Sequence, residues 1–249
     1  MNLTDLAGLL IVLIFAGAMG AFFWINRGSP YRGLRPIAAF GRLRRAIGMA
    51  VEDGSRVHIS LGSAALNSAN SASALVGMII LERVAQMSST SDSPPLVTSG
   101  DATLTLLSQD ELRRNAADAN LMDDYDPSLG RLTGVTPFSY AAGTIPVFHD
   151  EQVSSNIVVG NFGPEVGLMA DAAEKTHACF VAGSDSITAQ AVLFASAQDP
   201  LIGEELFASG AYLQGGAMHA ASLHAQDIAR WVIAGALIIG AILKLLRVV

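Results

Sequence analysis

At 249 residues, with 51% hydrophobic and only 15% charged side chains, the chain is more apolar than a freely soluble domain of ordinary composition. Its formal charge of −7 excludes a protein that is basic overall and built to coat nucleic acid, and its single cysteine excludes an internal disulfide.

The chain opens with LAGLLIVLIFAGAMGAFFWI, Leu6 to Ile25, twenty residues without a charge. At 1.5 Å per helical residue such a run covers the hydrocarbon core of a bilayer, about 30 Å. A cleavable signal peptide is the rival reading, with Ala16, Ala18 and Ala21 imitating a cleavage site. The preceding residues hold no Lys or Arg and carry Asp5, so a retained anchor over 1–27 is the expectation.

Arg27, Arg32, Arg35, Arg42, Arg44 and Arg45 follow within nineteen residues that contain no acid. A basic flank this close to a span is kept on the cytoplasmic side, which predicts an inner-membrane protein with its folded part in the cytoplasm and both termini outside. The cluster also suits acidic lipid headgroups, or the acidic domain of a neighbouring subunit. Within 28–54, Ile37 to Val51 sets apolar residues at helical spacing with arginines opposite, an amphipathic helix lying against the membrane or the domain.

From 55 to 227 the pattern becomes strand, glycine, helix. Apolar runs at Val57 to Leu61, Leu96 to Ser99, Ile157 to Val159 and Cys179 to Ala182 end at Gly62, Gly100, Gly160 and Gly183. Helical stretches follow at Ser71 to Met87, Ala102 to Ala119, Pro164 to Lys175 and Ile187 to Ala197. Glycine turns the chain at each strand end, and a small polar or acidic residue then caps the next helix. Four such alternations predict an α/β fold, a parallel sheet with flanking helices between an N-terminal and a C-terminal transmembrane helix. Between the second and third units, NLMDDYDPSLGRLTGVTPFSYAAGTIPVF shows turn residues, three prolines and no clear period, and reads as an insertion with one short helix. Residues 57–229 hold five basic against nineteen acidic side chains, so this domain avoids nucleic acid.

GNFGPEVG has its glycines, Gly160, Gly163 and Gly167, as G-x-x-G-x-x-x-G rather than G-x-G-x-x-G, and no Lys follows as in a P-loop. Pro164 removes an amide donor and Glu165 puts a carboxylate where a phosphate would sit, so the stretch reads as a self-capped turn. If the strands are parallel neighbours, Asp101, Glu165 and Asp185 gather at one edge of the sheet and offer oxygen ligands to Mg²⁺; separate helix caps account for them without a metal. The Asp-rich DDYDP lacks the calcium-loop spacing. His219 and His224 stand on different helix faces and cannot share a metal. There is no G-x-S-x-G elbow, and Cys179, inside an apolar strand, reads as a buried, inert thiol.

Pro200 to Gln226 is rich in Ala, Gly and Leu, with Leu206, Tyr212, Leu213 and Met218 spread around a helix that Gly215-Gly216 interrupts. A helix apolar all round seeks burial on every side, and a subunit interface is the expectation. In 228–249, IARWVIAGALIIGAILKLL spans if Arg230 and Lys244 snorkel to the headgroups; packing on the domain is the alternative. Ala16 with Gly20, Gly17 with Ala21, and Ala236 with Gly240 form small-xxx-small pairs that permit close helix approach.

An N-terminal span, an arginine-rich exit, VVGNFGPEVGLMAD and a closing DIARWVIAGALIIG together resemble a family of uncharacterised two-span bacterial membrane proteins defined by a domain of unknown function. The resemblance implies a prokaryotic source and a membrane location, and it transfers no catalytic residue. The sequence thus points to a non-enzymatic scaffold or accessory subunit in contact with membrane lipid. It would form a homo-oligomer or dock on a membrane-protein partner, with no cofactor. The alternative is a small-ligand sensor or enzyme with its site in the crevice at Gly62, Gly100, Gly160 and Gly183.

Overall fold

The computed structural model describes residues 3–29, 31, 33–89, 91, 93–150 and 152–246. In chain order these form α1 (Leu3–Ile25), α2 (Ala38–Asp53), β1 (Arg56–Gly62), α3 (Ser71–Met87), β2 (Leu96–Ser99) and α4 (Ala102–Asp118). After two short 3₁₀ turns come β3 (Gly130–Leu132), α5 (Pro137–Asp150), β4 (Val153–Asn161), α6 (Val166–Thr176), β5 (Cys179–Ser184), α7 (Ile187–Ser196), α8 (Ser209–Tyr212) and α9 (Ala217–Leu245). The chain divides into two units. One is Pro36–Leu213; the other joins Met1–Arg35 to Gln214–Val249.

Within Pro36–Leu213, five strands form one sheet in the order β3-β2-β1-β4-β5, every neighbour parallel. This is the parallel sheet with flanking helices that the strand-helix alternation implies, with one strand more. The extra strand is β3, only three residues long, inside the stretch read as an insertion. The same stretch holds α5, fourteen residues rather than one short helix, entered at Pro137 and carrying Pro146 in its interior. Proline at the first helical position costs nothing, because its missing N–H would be unpaired there.

Side chains alternate across the sheet. Val57, Ile59 and Leu61 of β1, with Ile157 and Val159 of β4 and Val181 of β5, join the core that α2, α3 and α4 cover. Val158 and Ala182 join Tyr140, Phe148, Phe162, Met169 and Leu193 on the face covered by α5, α6 and α7. The chain reaches the second face because the crossovers β1-α3-β2 and β2-α4-β3 run outward on one side, whereas α5 brings it back past β1 to start β4. Right-handed crossovers in opposite directions fall on opposite faces.

The helix α2 belongs to this unit. Ala39, Phe40, Leu43, Ala46, Ile47 and Ala50 are buried in the core, and Phe40 stacks on Tyr212 with ring centroids 4.9 Å apart. Its amphipathic pattern is therefore satisfied by protein, and it lies within the compact unit Pro36–Leu213.

In the other unit, α1 and α9 pack on each other. Phe22, near the end of α1, meets His224, near the start of α9, with ring centroids 5.8 Å apart, so the two helices run antiparallel. Asp5–Ile25 and Ala217–Leu245 are each long and apolar enough to cross a bilayer, which points to a membrane protein. The second of these is one continuous helix of 29 residues, beginning eleven residues ahead of the span expected at Ile228.

Candidate functional site

An order of 3-2-1-4-5 places a topological switch point between β1 and β4, where the chain leaves the sheet towards opposite faces. Doubly wound sheets hold their ligands outside the carboxyl ends of the strands at this point. The candidate crevice residues Gly62 and Gly160 lie there, on adjacent strands, with Gly100 and Gly183 one strand further out on either side.

At this edge the strands stay joined beyond their last paired residues. Gly100 donates its N–H to the Gly62 carbonyl at 2.9 Å, and Ser63 donates to the Asn161 carbonyl at 3.1 Å. Gly62 (φ 75°) and Gly160 (φ 151°) adopt backbone conformations that L side chains rarely take. A Cβ on Gly62 would come within 2.5 Å of the Asn161 carbonyl oxygen, and one on Gly160 would overlap the Leu61 carbonyl oxygen. Gly183 and Gly100 are pressed in the same way, against Leu201 and Ser63. The four glycines let main chain and neighbouring residues fill the space at the strand ends.

The three acids at this edge have separate local partners. Asp101 caps α4, its Oδ1 accepting from the amides of Thr103 at 2.9 Å and Leu104 at 3.1 Å. Asp185 accepts from the Asn161 amide Nδ2 at 2.7 Å. Glu165 is fully buried and its Oε1 accepts the Gly163 N–H at 2.7 Å, which fixes the Phe162-Gly163-Pro164 turn ahead of α6. Among the described residues no three His, Cys, Asp or Glu side chains come close enough to hold a metal ion. Of the four helices that follow β1, β2, β4 and β5, only α4 has a side-chain cap bond; Asn70, Glu165 and Ser186 stand at the N-caps of α3, α6 and α7 without one.

Under α5 runs a row of buried polar side chains that no motif in the sequence announces. Imidazole Nδ1 of His58 lies 3.0 Å from Asn156 Oδ1, and Nε2 lies 2.9 Å from Thr98 Oγ1. Phe148 covers the ring at 5.2 Å between centroids. Further along the strands the Tyr140 hydroxyl bonds Ser60 Oγ, accepts the Gly62 N–H at 3.3 Å and donates to the Thr98 carbonyl at 3.2 Å. Burial pushes His58 down to about 4, with the Asn156 bond opposing the shift and the Arg131 charge adding to it. Burial likewise raises the Tyr140 phenol, against its hydrogen bonds. Both groups are neutral at pH 7 and closed to solvent, so this row positions α5. Period-2 alternation within β1 (Val-His-Ile-Ser-Leu) is the signal that could have found it.

Two grooves lie at the opposite edge, by the amino ends of the strands. One, about 660 Å³, is lined by Arg42, Ser154, Glu174, His177, Cys179 and Gln198 among others; the second, about 460 Å³, includes Arg56, Leu112, Tyr125 and Asp126. Cys179 is half-buried in the first, not sealed in the core as its apolar neighbours suggest. Burial raises its thiol while Arg42 and Arg45 pull it back.

Of the arginine cluster, Arg42 bonds Gln198 and Asp199, and Arg44 bonds the Tyr212 carbonyl, so both have roles inside the domain. Arg27, Arg35 and Arg45 are exposed, and Arg32 lies outside the described residues. Leu206 and Leu213 are buried in the domain's own core, with Tyr212 packed beside them. Their apolar surface is already covered within the subunit. Residues 200–226 do not form one helix: the segment breaks into a 3₁₀ turn, α8 and the start of α9. Met218, on α9, is exposed.

The chain matches, over residues 1–249, the family described as "Domain of unknown function (DUF6754)", and it belongs to that family. No curated protein and no solved structure matches it.

Proposed function

We propose that this member of a family without assigned chemistry is a non-enzymatic, membrane-anchored scaffold or accessory subunit. Its α/β domain works by associating with further copies or with a membrane-protein partner. The observation that carries the reading is the closure of the switch point. Gly62 and Gly160 admit backbone where a doubly wound sheet keeps room for a ligand, and each nearby carboxylate is engaged in a local hydrogen bond. Asp101, Asp185 and Glu165 each serve a local donor, which supports a structural part for this edge.

The arginine-rich stretch after the first span supports an inner (cytoplasmic) membrane location with the domain facing the cytoplasm. The antiparallel pairing of α1 and α9 accords with both termini on the other side. A reporter active only in the cytoplasm, inserted at Ser91, is then active; silence there with activity of a periplasmic reporter reverses the orientation.

The strand order, which sets Gly62 and Gly160 side by side at the carboxyl ends of parallel neighbours, favours a second reading, a small-ligand sensor or enzyme at the switch point. Native mass spectrometry of the gently extracted protein separates the two. A scaffold gives whole multiples of the 25.9 kDa chain without added mass. A monomer carrying a bound small molecule overturns it in favour of the sensor.

A further inference from the structure

The two edges of the α/β unit differ in charge. At the amino ends of the strands, Asp53, Arg56, Arg114, Asp118, Asp126 and Lys175 crowd the helix ends and links. At the carboxyl ends, residues 63–75, 100–106, 133–139, 161–168 and 184–188 hold no Lys, Arg or His, and their three acids, Asp101, Glu165 and Asp185, each accept a local hydrogen bond. This edge is also apolar. Leu75, Leu106, Val135, Phe138, Leu168 and Ile187 stand on it, each just ahead of a helix or within its first five residues. Val135 is 73%, Phe138 64% and Ile187 85% exposed. Exposed apolar side chains occur at the other edge too, among them Met87 and Leu121, but there they are interspersed with charges. Apolar groups without charged neighbours suit a phase that penalises charge.

The course of the chain identifies that phase. α2 ends at the amino ends of the strands, where Asp53 lines a groove with Ser154, so its start points towards the carboxyl ends. Leu201 donates its N–H to the Ala182 carbonyl and runs parallel to β5, and the chain advances the same way from there. It reaches Tyr212, which stacks on Phe40 near the start of α2. Pro36 and Leu213, through which the domain joins the two apolar helices, therefore lie near one another on the carboxyl side. In the helical pair, Phe22 stands three residues before the end of α1 and meets His224, so α9 enters the apolar layer close to His224. The chain from Leu213 to Ala217 reaches at most about 14 Å, and the helix from there to His224 rises about 10 Å. That link is shorter than the width of the domain, about 40 Å for a chain of its length. The edge that carries the exits is thus held nearest the bilayer.

We infer that the carboxyl edge of the sheet is a lipid-contact surface, with Val135, Phe138 and Ile187 entering the headgroup layer of the bilayer that the two helices cross. This inference rests on the membrane anchoring proposed above and adds the surface that meets the lipid. Because these strand-end segments carry no Lys or Arg, the contact is held by apolar burial rather than by charge. Neutral phosphatidylcholine therefore serves as its partner, and salt does not loosen it.

The test uses the full chain in phosphatidylcholine vesicles, on a Cys179→Ser background, with a fluorescent label on Val135→Cys, on Ile187→Cys or, at the other edge, on Leu121→Cys. Nitroxide-bearing phosphatidylcholine quenches the first two labels at least threefold more than the third. Aqueous iodide does the reverse, and high salt leaves both patterns unchanged. Labels on Val135→Cys and Ile187→Cys that iodide reaches as fully as the one on Leu121→Cys overturn the inference. Shielding of those two from both quenchers means that protein rather than lipid covers the edge, and overturns it as well. Loss of the lipid quenching in high salt assigns the contact to the arginines that follow α1 and does the same. Release of the chain from the vesicles by alkaline carbonate defeats the membrane anchoring itself.

Discussion

Asn156 and Ile157 are neighbours in β4, yet they face two different interiors. Ile157 enters a core made of Val57, Ile59, Val159 and Val181 under α2, α3 and α4. Asn156 enters the row His58, Ser60 and Thr98 under α5, where buried hydroxyls, the amide oxygen and an imidazole bond one another. The apolar face gains by area and tolerates small shifts of its helices. The polar face accepts α5 only where the Tyr140 hydroxyl meets Ser60, the Gly62 amide and the Thr98 carbonyl together, because a misplaced helix leaves buried groups unpaired. One side of the sheet supplies stability and the other supplies register.

Truncating the apolar side gives the largest effect. Ile157→Ala, at a fully buried position, costs about 2–5 kcal/mol in chemical unfolding of the extracted protein. A loss under about 1 kcal/mol would make the two faces equivalent. Acid tests the polar side. His58 has a folded-state value near 4, below the ordinary 6.5, so the unfolded chain takes up the proton first. Its contribution is complete above pH 6.5 and falls by about 1.4 kcal/mol per unit between there and pH 4, roughly 3 kcal/mol in all. Thermal unfolding across that window shows the slope, and His58→Gln removes the part due to this residue.

Tyr140→Phe comes next, at about 1–3 kcal/mol, since it leaves the buried Gly62 amide without its side-chain acceptor. The smallest effect belongs to Asn156→Ala, about 1 kcal/mol or less. The substitution removes the partner of His58 and also removes an amide nitrogen, Nδ2, that is buried without a hydrogen bond. If Asn156→Ala proves as costly as Ile157→Ala, the amide is fully bonded and the polar row contributes stability as well as register.

The same contrast explains what the sequence discloses. Apolar runs ended by glycine mark β1, β2, β4 and β5, and the helix over Ser71–Met87 is legible to the residue. In α5 the buried positions Tyr140, Ala141, Thr144, Val147 and Phe148 do recur at helical spacing, but Thr144 interrupts the stripe and Pro137 and Pro146 read as turn residues, so the segment reads as loop. β3 is too short for alternation to register. In α2 an amphipathic pattern specifies only a boundary between apolar and polar surroundings, and protein serves as well as lipid. For the candidate site, the glycines were visible at their strand ends, but whether they open a crevice or admit a neighbouring chain depends on strand order, which one sequence does not spell out. Leu206 and Leu213 show the same limit, because apolar character demands burial without naming the partner that provides it.

The 29 residues of α9 extend about 43 Å at 1.5 Å each, whereas the oily layer of a bilayer is about 30 Å thick. A rod longer than the slab it crosses leans or protrudes, and its lean follows the thickness of the slab. Just ahead of it, Gln214 (φ 62°) and Gly216 (φ 153°) occupy left-handed backbone, with Gly215 between them. The backbone angles at Gln214 and Gly216 are ones that L side chains rarely take, so Gly216→Ala strains the entry to the longer rod itself, at the point where the apolar helix begins.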